Sequence, residues 1–192
     1  MGANPSHPEL TEDVLDEYSA LTYLRKEEIL YLMDKFQSID VQKVQADYHH
    51  RFNSKEIINK FDVLKNNPFV DRIFHVFSSK KDDCFSFEDL LDLYSVMSPE
   101  CPPEVKAIWA FHLFDLDDDN EITYRDVMEI IDRLTNGFQN PNNFIGKDFK
   151  KIIFENILKE VKLDNSNSIG LHEMVLILSR LPEFKSTFYF RL

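Results

Sequence analysis

The stretch that decides the fold runs from residue 115 to residue 126 and reads Asp115-Leu116-Asp117-Asp118-Asp119-Asn120-Glu121-Ile122-Thr123-Tyr124-Arg125-Asp126. Carboxylates stand at positions 1, 3 and 5 of this segment, and an apolar residue stands at position 8. Hard cations such as Ca²⁺ and Mg²⁺ bind several oxygen atoms, which an EF-hand loop supplies from positions 1, 3, 5, 7, 9 and 12. An acidic helix terminus alone does not predict this alternation. The segment is therefore predicted to bind a divalent metal through Asp115, Asp117, Asp119, Glu121 and Asp126.

Two residues of this loop depart from the usual pattern. Asn120 stands at position 6, where glycine is usual because the backbone turns with a positive φ, and asparagine tolerates that conformation at modest cost. Asp126 stands at position 12, where a longer glutamate normally ligates Ca²⁺ through both oxygens. The shorter side chain predicts reduced Ca²⁺ affinity and relative tolerance of Mg²⁺, which keeps several waters. The expected cofactor is Ca²⁺ or Mg²⁺.

The same unit recurs along the chain as a helix, a short polar loop with one late apolar residue, and a second helix. These late apolar residues are Phe85, Ile122 and Ile169, and a degenerate earlier copy is centred on Phe52. A single unit cannot bury its apolar face, so such units pair into lobes. The predicted fold is all-α, with four EF-hand units paired into two lobes and short β-pairing between loops.

The loop around Ile169 is poorer in ligands than the third loop. Its predicted ligands are Asp164, Ser166, Ser168 and Glu173. Lys162 at position 1 places an ammonium group where a carboxylate is expected. Two outcomes stay open, because the loop could bind Ca²⁺ weakly or the lysine could fold inward as an internal counterion.

The loop around Phe85 has serine and lysine at positions 1 and 3. Too few carboxylates remain there for a metal, despite Asp82, Asp83 and Asp89. It is predicted to be a metal-free structural loop.

The sequence predicts a domain order of four segments. Residues 1–20 form an N-terminal extension, 21–100 an N-lobe with two degenerate EF-hands, 101–181 a C-lobe with the third and fourth EF-hands, and 182–192 an apolar tail. Within the N-lobe, residues 37–53 are polar and predict an irregular connection, whereas residues 54–64 have one continuous helical pattern.

Composition excludes several classes of protein. The net charge of −12, from 22 basic and 34 acidic residues, argues against a nucleic-acid surface, which needs a basic face. No apolar run approaches the roughly 20 residues of a membrane span. No glycine-rich phosphate loop and no nucleophile–base pattern indicates an enzyme. Cys84 and Cys101 are expected to be reduced thiols in a cytosolic protein.

The first residues, Met1-Gly2-Ala3-Asn4-Pro5-Ser6, fit the pattern for N-myristoylation at Gly2. A single myristoyl chain gives only marginal, reversible membrane binding. The expected location is therefore the cytoplasm, at the inner face of the plasma membrane, with peripheral association through the lipid.

The sequence resembles the calcium- and integrin-binding protein family over nearly the whole chain. The motifs that carry the resemblance are the Met1-Gly2 start, Asn67-Pro68-Phe69 before a helix, Phe77-Ser78 running into Phe85-Ser86-Phe87-Glu88-Asp89, Ala110-Phe111 leading to Phe114-Asp115, aspartate at position 12 of the third loop, and the ending Ser186-Thr187-Phe188.

This resemblance implies a two-lobed helical protein whose first two EF-hands bind no metal and whose third and fourth can. It also implies N-myristoylation and binding of amphipathic cytoplasmic segments of membrane proteins, with integrin α-subunit tails as the eponymous partners. One branch of the family serves as an auxiliary subunit of transmembrane channel-like mechanotransduction channels. Lys162 departs from the family pattern, which usually keeps an acidic residue there.

Apolar residues on the C-terminal helices exceed what a helical hairpin needs. An EF-hand lobe can open to expose such residues as a groove for a partner helix, although each of them could instead belong to the core. The candidate groove residues are Ile108, Phe111, Ile131, Leu134, Phe149, Ile153, Ile157, Met174, Leu178 and Phe188. The tail that contains Phe188 either covers this groove in the free protein or joins the partner's binding site.

The function expected from these features is that of a metal-binding adaptor, without enzymatic activity, for a cytoplasmic helix of a membrane protein. A calcineurin-B-like regulatory subunit, which would bind a long helix of a catalytic subunit, remains the alternative. A soluble calcium buffer is disfavoured because buffers need several intact loops, and here one loop is complete.

Overall fold

The computed structural model describes residues 10–135, 143–161, 167–181, 183–184, 188 and 190. The chain forms two compact units, one comprising Met1–Cys101 with Tyr189–Leu192 and the other Pro102–Phe188. The predicted boundary at residue 20 falls inside the first helix, which packs within the first unit. Within the described ranges, no helix combines the length and hydropathy needed to cross a bilayer.

The elements of the first unit follow one another closely along the chain. In order, they are α1 Glu12–Leu21, α2 Lys26–Gln37, α3 Val41–Ala46, β1 Phe52–Asn53, α4 Ser54–Lys60, α5 Asp62–Lys65, α6 Val70–Phe77, β2 Cys84–Phe85 and α7 Phe87–Val96. The helices of the second unit are α8 Pro103–Phe114, α9 Tyr124–Thr135, α10 Lys147–Val161 and α11 Leu171–Leu178.

The strands β1 and β2 join the first two loops. They pair antiparallel, with Phe52 opposite Phe85 and Asn53 opposite Cys84. Directly after β1, the Asn53 side chain accepts a hydrogen bond from the Glu56 amide, and the Glu56 carboxylate accepts one from the Asn53 amide. This capping box starts α4. The predicted early copy centred on Phe52 is therefore confirmed.

Phenylalanine fills the core of the first unit. The fully buried phenylalanines of this unit are Phe36, Phe52, Phe61, Phe85 and Phe87. The Phe36 ring meets Phe52 edge-on at a centroid distance of 5.1 Å. Burial of one such side chain contributes roughly 2–3 kcal/mol relative to its exposure. The aromatic residues late in both loops thus close the core and pair the loops at the same time.

The sequence prediction was wrong for residues 37–53 and for residues 54–64. The first stretch contains α3, which begins because the Asp40 carboxylate accepts hydrogen bonds from the amides of Gln42 and Lys43. The second stretch divides into α4 and α5. Phe61 separates them with an extended backbone at φ −109° and ψ 92°, and its side chain is buried.

In the second unit, an isolated antiparallel bridge joins the third and fourth loops. Ile122 and Ile169 exchange two backbone hydrogen bonds of 2.9 Å. Around this bridge lies a small buried cluster of Phe111, Ile122, Val127, Phe154 and Ile169. Helix α8 packs on α11, and α9 packs on α10. The predicted all-α EF-hand fold with short β-pairing between loops is confirmed.

Three described aromatic residues follow α11. Phe184 and Phe188 stack in the second unit with ring centroids 5.3 Å apart. The carbonyl oxygen of Phe188 accepts a hydrogen bond of 2.8 Å from Nζ of the buried Lys106 on α8. Phe190 belongs to the first unit, where its amide donates to the Met97 carbonyl at 3.0 Å.

Candidate metal centre

The third loop begins where α8 ends. Its first ligand position, Asp115, still donates its amide to the Phe111 carbonyl at 2.8 Å, so the helix fixes the start of the loop. Asp118 and Asn120 then adopt positive φ values of 58° and 67°. Asparagine tolerates this left-handed conformation better than most residues. The backbone therefore turns at position 6 without glycine.

The three aspartates of this loop converge. One carboxylate oxygen from each of Asp115, Asp117 and Asp119 lies within 4.8 Å of the others. Ca²⁺–oxygen bonds of 2.3–2.6 Å allow ligands on opposite sides of one ion to be about 4.6–5.2 Å apart. The spacing and the all-oxygen donor set therefore fit a single hard divalent cation.

Asp115 is the most constrained of the three aspartates. It is 2% exposed, whereas Asp117 and Asp119 are exposed. Its carboxylate accepts hydrogen bonds from the amides of Asp119 at 3.2 Å and Asn120 at 3.0 Å. Burial raises the pKa of this carboxyl. The hydrogen bonds from the two amides partly offset this increase, and the nearby charges of Asp119 and Asp118 add to it. A bound cation would neutralise the charge that burial disfavours.

Asp126 closes the loop from the first turn of α9. Its side chain is buried, and Oδ1 accepts a hydrogen bond from the Leu116 amide at 3.2 Å. Oδ2 accepts from the amide and the hydroxyl of Thr123 at 2.8 and 2.7 Å. Both oxygens thus already hold the two ends of the loop together. The exposed Glu121 would contribute its backbone carbonyl at position 7.

The fourth loop is described only in part. Ser168 and Glu173 are half-buried, and the Glu173 carboxylate accepts a hydrogen bond of 2.6 Å from the Gly170 amide. Lys162, Asp164 and Ser166 lie outside the described residues. Metal binding by this loop stays a prediction. The proposed lipidation site, Gly2, also lies outside the described residues.

The second loop contains a residue that the sequence patterns did not predict. The Arg51 guanidinium lies within this loop and forms ion pairs with Asp82 at 2.8 Å and Asp89 at 2.7 Å. The available signal was a basic residue directly before Phe52, whose strand pairs with that of Phe85. Nothing in the motif spacing itself shows that this side chain reaches into the neighbouring loop.

The predicted groove residues differ in their exposure. Phe111 is 1% exposed and belongs to the core of the second unit, so its assignment to an open groove was wrong for this conformation. Ile108, Leu134 and Phe149 are exposed. The half-buried members are Ile131, Ile153, Ile157, Met174, Leu178 and Phe188. Exposed apolar residues of the same unit that were not predicted are Phe144, Ile152, Leu171 and Leu181.

Comparison with known proteins identifies relatives over nearly the whole chain. The sequence is 31% identical over 185 residues to calcium and integrin-binding family member 2 of Danio rerio, covering 95% of this chain and 96% of the relative. It is 30% identical over 185 residues, with the same coverage, to family member 3 of Homo sapiens. Family member 2 of Drosophila melanogaster is 30% identical over 187 residues, again with 95% and 96% coverage. No family model matches the sequence.

Proposed function

Because the chain belongs to the calcium and integrin-binding protein family, we propose that it is a non-enzymatic adaptor or auxiliary subunit that binds divalent metal and an amphipathic cytoplasmic helix of a membrane protein. The names of the relatives describe binding of calcium and integrin. An integrin α-subunit tail is the first partner to test. A cytoplasmic helix of a transmembrane channel-like mechanotransduction channel is the second.

The metal is Ca²⁺ or Mg²⁺, held by the third loop. Its carboxylates are close enough to share one ion. The aspartate at position 12 favours a coordination shell that retains water, which Mg²⁺ accepts more readily than Ca²⁺ does. An ion held in this way stabilises the second unit across a broad range of calcium concentration.

The proposed partner rests on the incomplete burial of helix α11. This eight-residue helix has the sequence LHEMVLIL, and none of its residues is buried. Six of the eight are apolar, although α11 packs on α8. Leu171 is exposed and the other five are half-buried. Apolar surface that is only partly covered along one helix is typical of a binding site rather than of a finished core. A partner helix with one apolar face would cover it by the helix-in-groove mode.

Fluorescence anisotropy with a labelled integrin α-tail peptide tests this proposal on the full chain in Ca²⁺. Leu178→Asp on α11 should weaken binding at least tenfold, since it places a charge in the apolar contact. Leu21→Asp is the matched control, because Leu21 is 74% exposed on α1 of the first unit. Its affinity should equal that of the native chain.

A parallel titration with a channel helix peptide distinguishes the two partner classes. Tighter binding of one peptide identifies the class. If neither peptide binds the native chain, or if Leu178→Asp binds as tightly as the native chain, the proposed helix-binding function is wrong.

Membrane association through Gly2 completes the proposal. A myristoylated chain should sediment weakly with vesicles, as expected for one acyl chain. Mass spectrometry of the chain co-expressed with an N-myristoyltransferase measures the modification. Gly2→Ala is the control, and an unmodified native chain would remove this part of the proposal together with the expected location at the inner face of the plasma membrane.

A further inference from the structure

The guanidinium group of Arg51 contacts several parts of the second loop at once. Its Nη2 donates to Ser78 Oγ at 3.0 Å, to Asp82 Oδ1 at 2.8 Å and to the carbonyl oxygen of Cys84 at 2.6 Å. Its Nη1 donates to Asp89 Oδ2 at 2.7 Å. The Arg51 side chain is 13% exposed. It is therefore enclosed by oxygen atoms on several sides.

These oxygen atoms come from metal-ligand positions. When Phe85 is placed at position 8, Ser78, Asp82 and Asp89 stand at positions 1, 5 and 12, and the Cys84 carbonyl stands at position 7. An EF-hand uses the side chains of positions 1, 5 and 12 and the backbone carbonyl of position 7 to hold its cation. The guanidinium therefore takes the place of the ion.

The second loop also has the backbone of a metal-binding loop. Lys81 and Asp83, at positions 4 and 6, have φ values of 53° and 55°. The corresponding residues of the third loop, Asp118 and Asn120, have values of 58° and 67°. Both loops thus make the same two left-handed turns, although their side chains differ.

The residue at position 12 is bonded in the same way in both loops. Asp89 Oδ1 accepts from the Ser79 amide at 3.0 Å, and its Oδ2 accepts from the Ser86 amide at 3.0 Å. In the third loop, Asp126 accepts from the amides at positions 2 and 9 at 3.2 and 2.8 Å. The second loop therefore keeps the closing contacts of a complete EF-hand.

Pairing of the two loops explains how Arg51 reaches this place. Phe52 pairs with Phe85 across β1 and β2. Arg51 directly precedes Phe52, which puts it at position 7 of the first loop. The Arg51 side chain therefore extends from the first loop into the second. Lys81 does not compete with Arg51 for these oxygen atoms, because its Nζ donates to the carbonyls of His75 and Val76 at the end of α6.

We propose that Arg51 is a built-in cation of the second EF-hand, which fills the ion position and holds this loop in the closed form without metal. The ion pairs agree with this assignment. The Arg51 side-chain hydrogen bond lowers the pKa of Asp82 to about 2. Burial lowers the pKa of Arg51 itself, but Asp82 and Asp89 outweigh this and raise it. The guanidinium stays charged at every physiological pH.

Thermal unfolding of the full chain in chelator gives the first test. Arg51→Ala leaves Asp82 and Asp89 without their cation, so its unfolding temperature should fall by roughly 5–15 °C. Methylguanidinium at millimolar concentration should restore part of this loss, and ethylammonium, which lacks the planar fork, should restore less. Arg25→Ala is the matched control, because the Arg25 side chain is 74% exposed beside Glu28. It should unfold like the native chain, and an unchanged Arg51→Ala chain would overturn the proposal.

A competition with Ca²⁺ gives a second test that does not require Arg51→Ala to be stable alone. Ser78→Asp with Lys80→Asp supplies the missing carboxylates. With Arg51 in place, calorimetry should count the same number of Ca²⁺ ions as in the native chain. With Arg51→Ala added, it should count one more. An extra ion in the presence of Arg51, or no extra ion in its absence, would show that Arg51 does not hold the ion position.

Discussion

Asp126→Glu should convert the third loop from a site that tolerates Mg²⁺ into one that prefers Ca²⁺. The added methylene extends a side chain whose two oxygens now hold the amides of Leu116 and Thr123. The fourth loop shows that a glutamate at position 12 can keep one of these contacts, since Glu173 accepts from the Gly170 amide at 2.6 Å. The other oxygen would then be available to the ion.

The expected magnitude follows from the contacts exchanged. A second carboxylate oxygen on the ion contributes roughly 1.5–3 kcal/mol, as for other bonds to charged groups. Loss of the Leu116 amide contact costs about 1 kcal/mol. The net gain of about 0.5–2 kcal/mol corresponds to Ca²⁺ binding that is about 2- to 30-fold tighter, or roughly tenfold near the middle of this range. Mg²⁺ gains nothing, because its octahedral shell at 2.0–2.1 Å has no place for a bidentate carboxylate.

Calorimetric titration with Ca²⁺ and with Mg²⁺ measures both affinities. The ratio of Mg²⁺ to Ca²⁺ dissociation constants should rise about tenfold in Asp126→Glu. Asp89→Glu makes the same change in the second loop, which holds Arg51, and should leave both affinities unchanged. An unaltered ratio in Asp126→Glu would refute the argument that side-chain length at position 12 sets the metal preference.

Three further predictions concern single side chains. Asp115→Asn should lower Ca²⁺ affinity at least tenfold and abolish the rise in unfolding temperature that Ca²⁺ produces, both measured by calorimetry. Its unfolding temperature without metal should change little, because an amide avoids the burial of a charge. Lys150→Met should lower the free energy of unfolding, measured with denaturant, by roughly 3 kcal/mol. Nζ of the buried Lys150 lies 2.5 Å from Asp132, and the substitution would leave that carboxylate with an uncompensated charge. Equal stability of the two chains would contradict this. Asp82 has a folded pKa of about 2 against an ordinary 3.8, so its stabilisation is complete above about pH 5 and disappears as pH falls towards 2. The difference in unfolding temperature between the native chain and Arg51→Ala should shrink over that range, and a constant difference would show that Asp82 does not contribute.

The convergence of Asp115, Asp117 and Asp119 and the pairing of the late-loop residues were predictable because both follow fixed spacing. Asp115 to Asp126 satisfies the ligand positions in one continuous segment, and Phe52, Phe85, Ile122 and Ile169 occupy one position of a repeated unit. Spacing of this kind is informative because the ligand oxygens and the paired residues stand at fixed positions of one local unit. Local pattern is therefore sufficient for these features.

The burial of Phe111 and the role of Arg51 were not predictable in the same way. An apolar helix residue shows which face is apolar, but not whether the next helix covers it, as α11 and the cluster around Ile122 do here. Arg51 bonds two carboxylates that are distant in the sequence, since Asp82 is 31 and Asp89 is 38 positions away. Its position follows only from the register of β1 on β2. Such contacts depend on tertiary pairing rather than on motif spacing.

The second and third loops together indicate what an EF-hand requires for closure. Both keep the two left-handed turns and the two amide contacts to the aspartate at position 12. They differ in the source of positive charge, which is the tethered Arg51 guanidinium in the second loop and, in the function proposed above, an exchangeable ion in the third. A tethered cation cannot be diluted or chelated, whereas Asp115 without an ion retains a charge that burial disfavours. In the function proposed above, calcium therefore acts on the second unit, which also carries the incompletely covered α11.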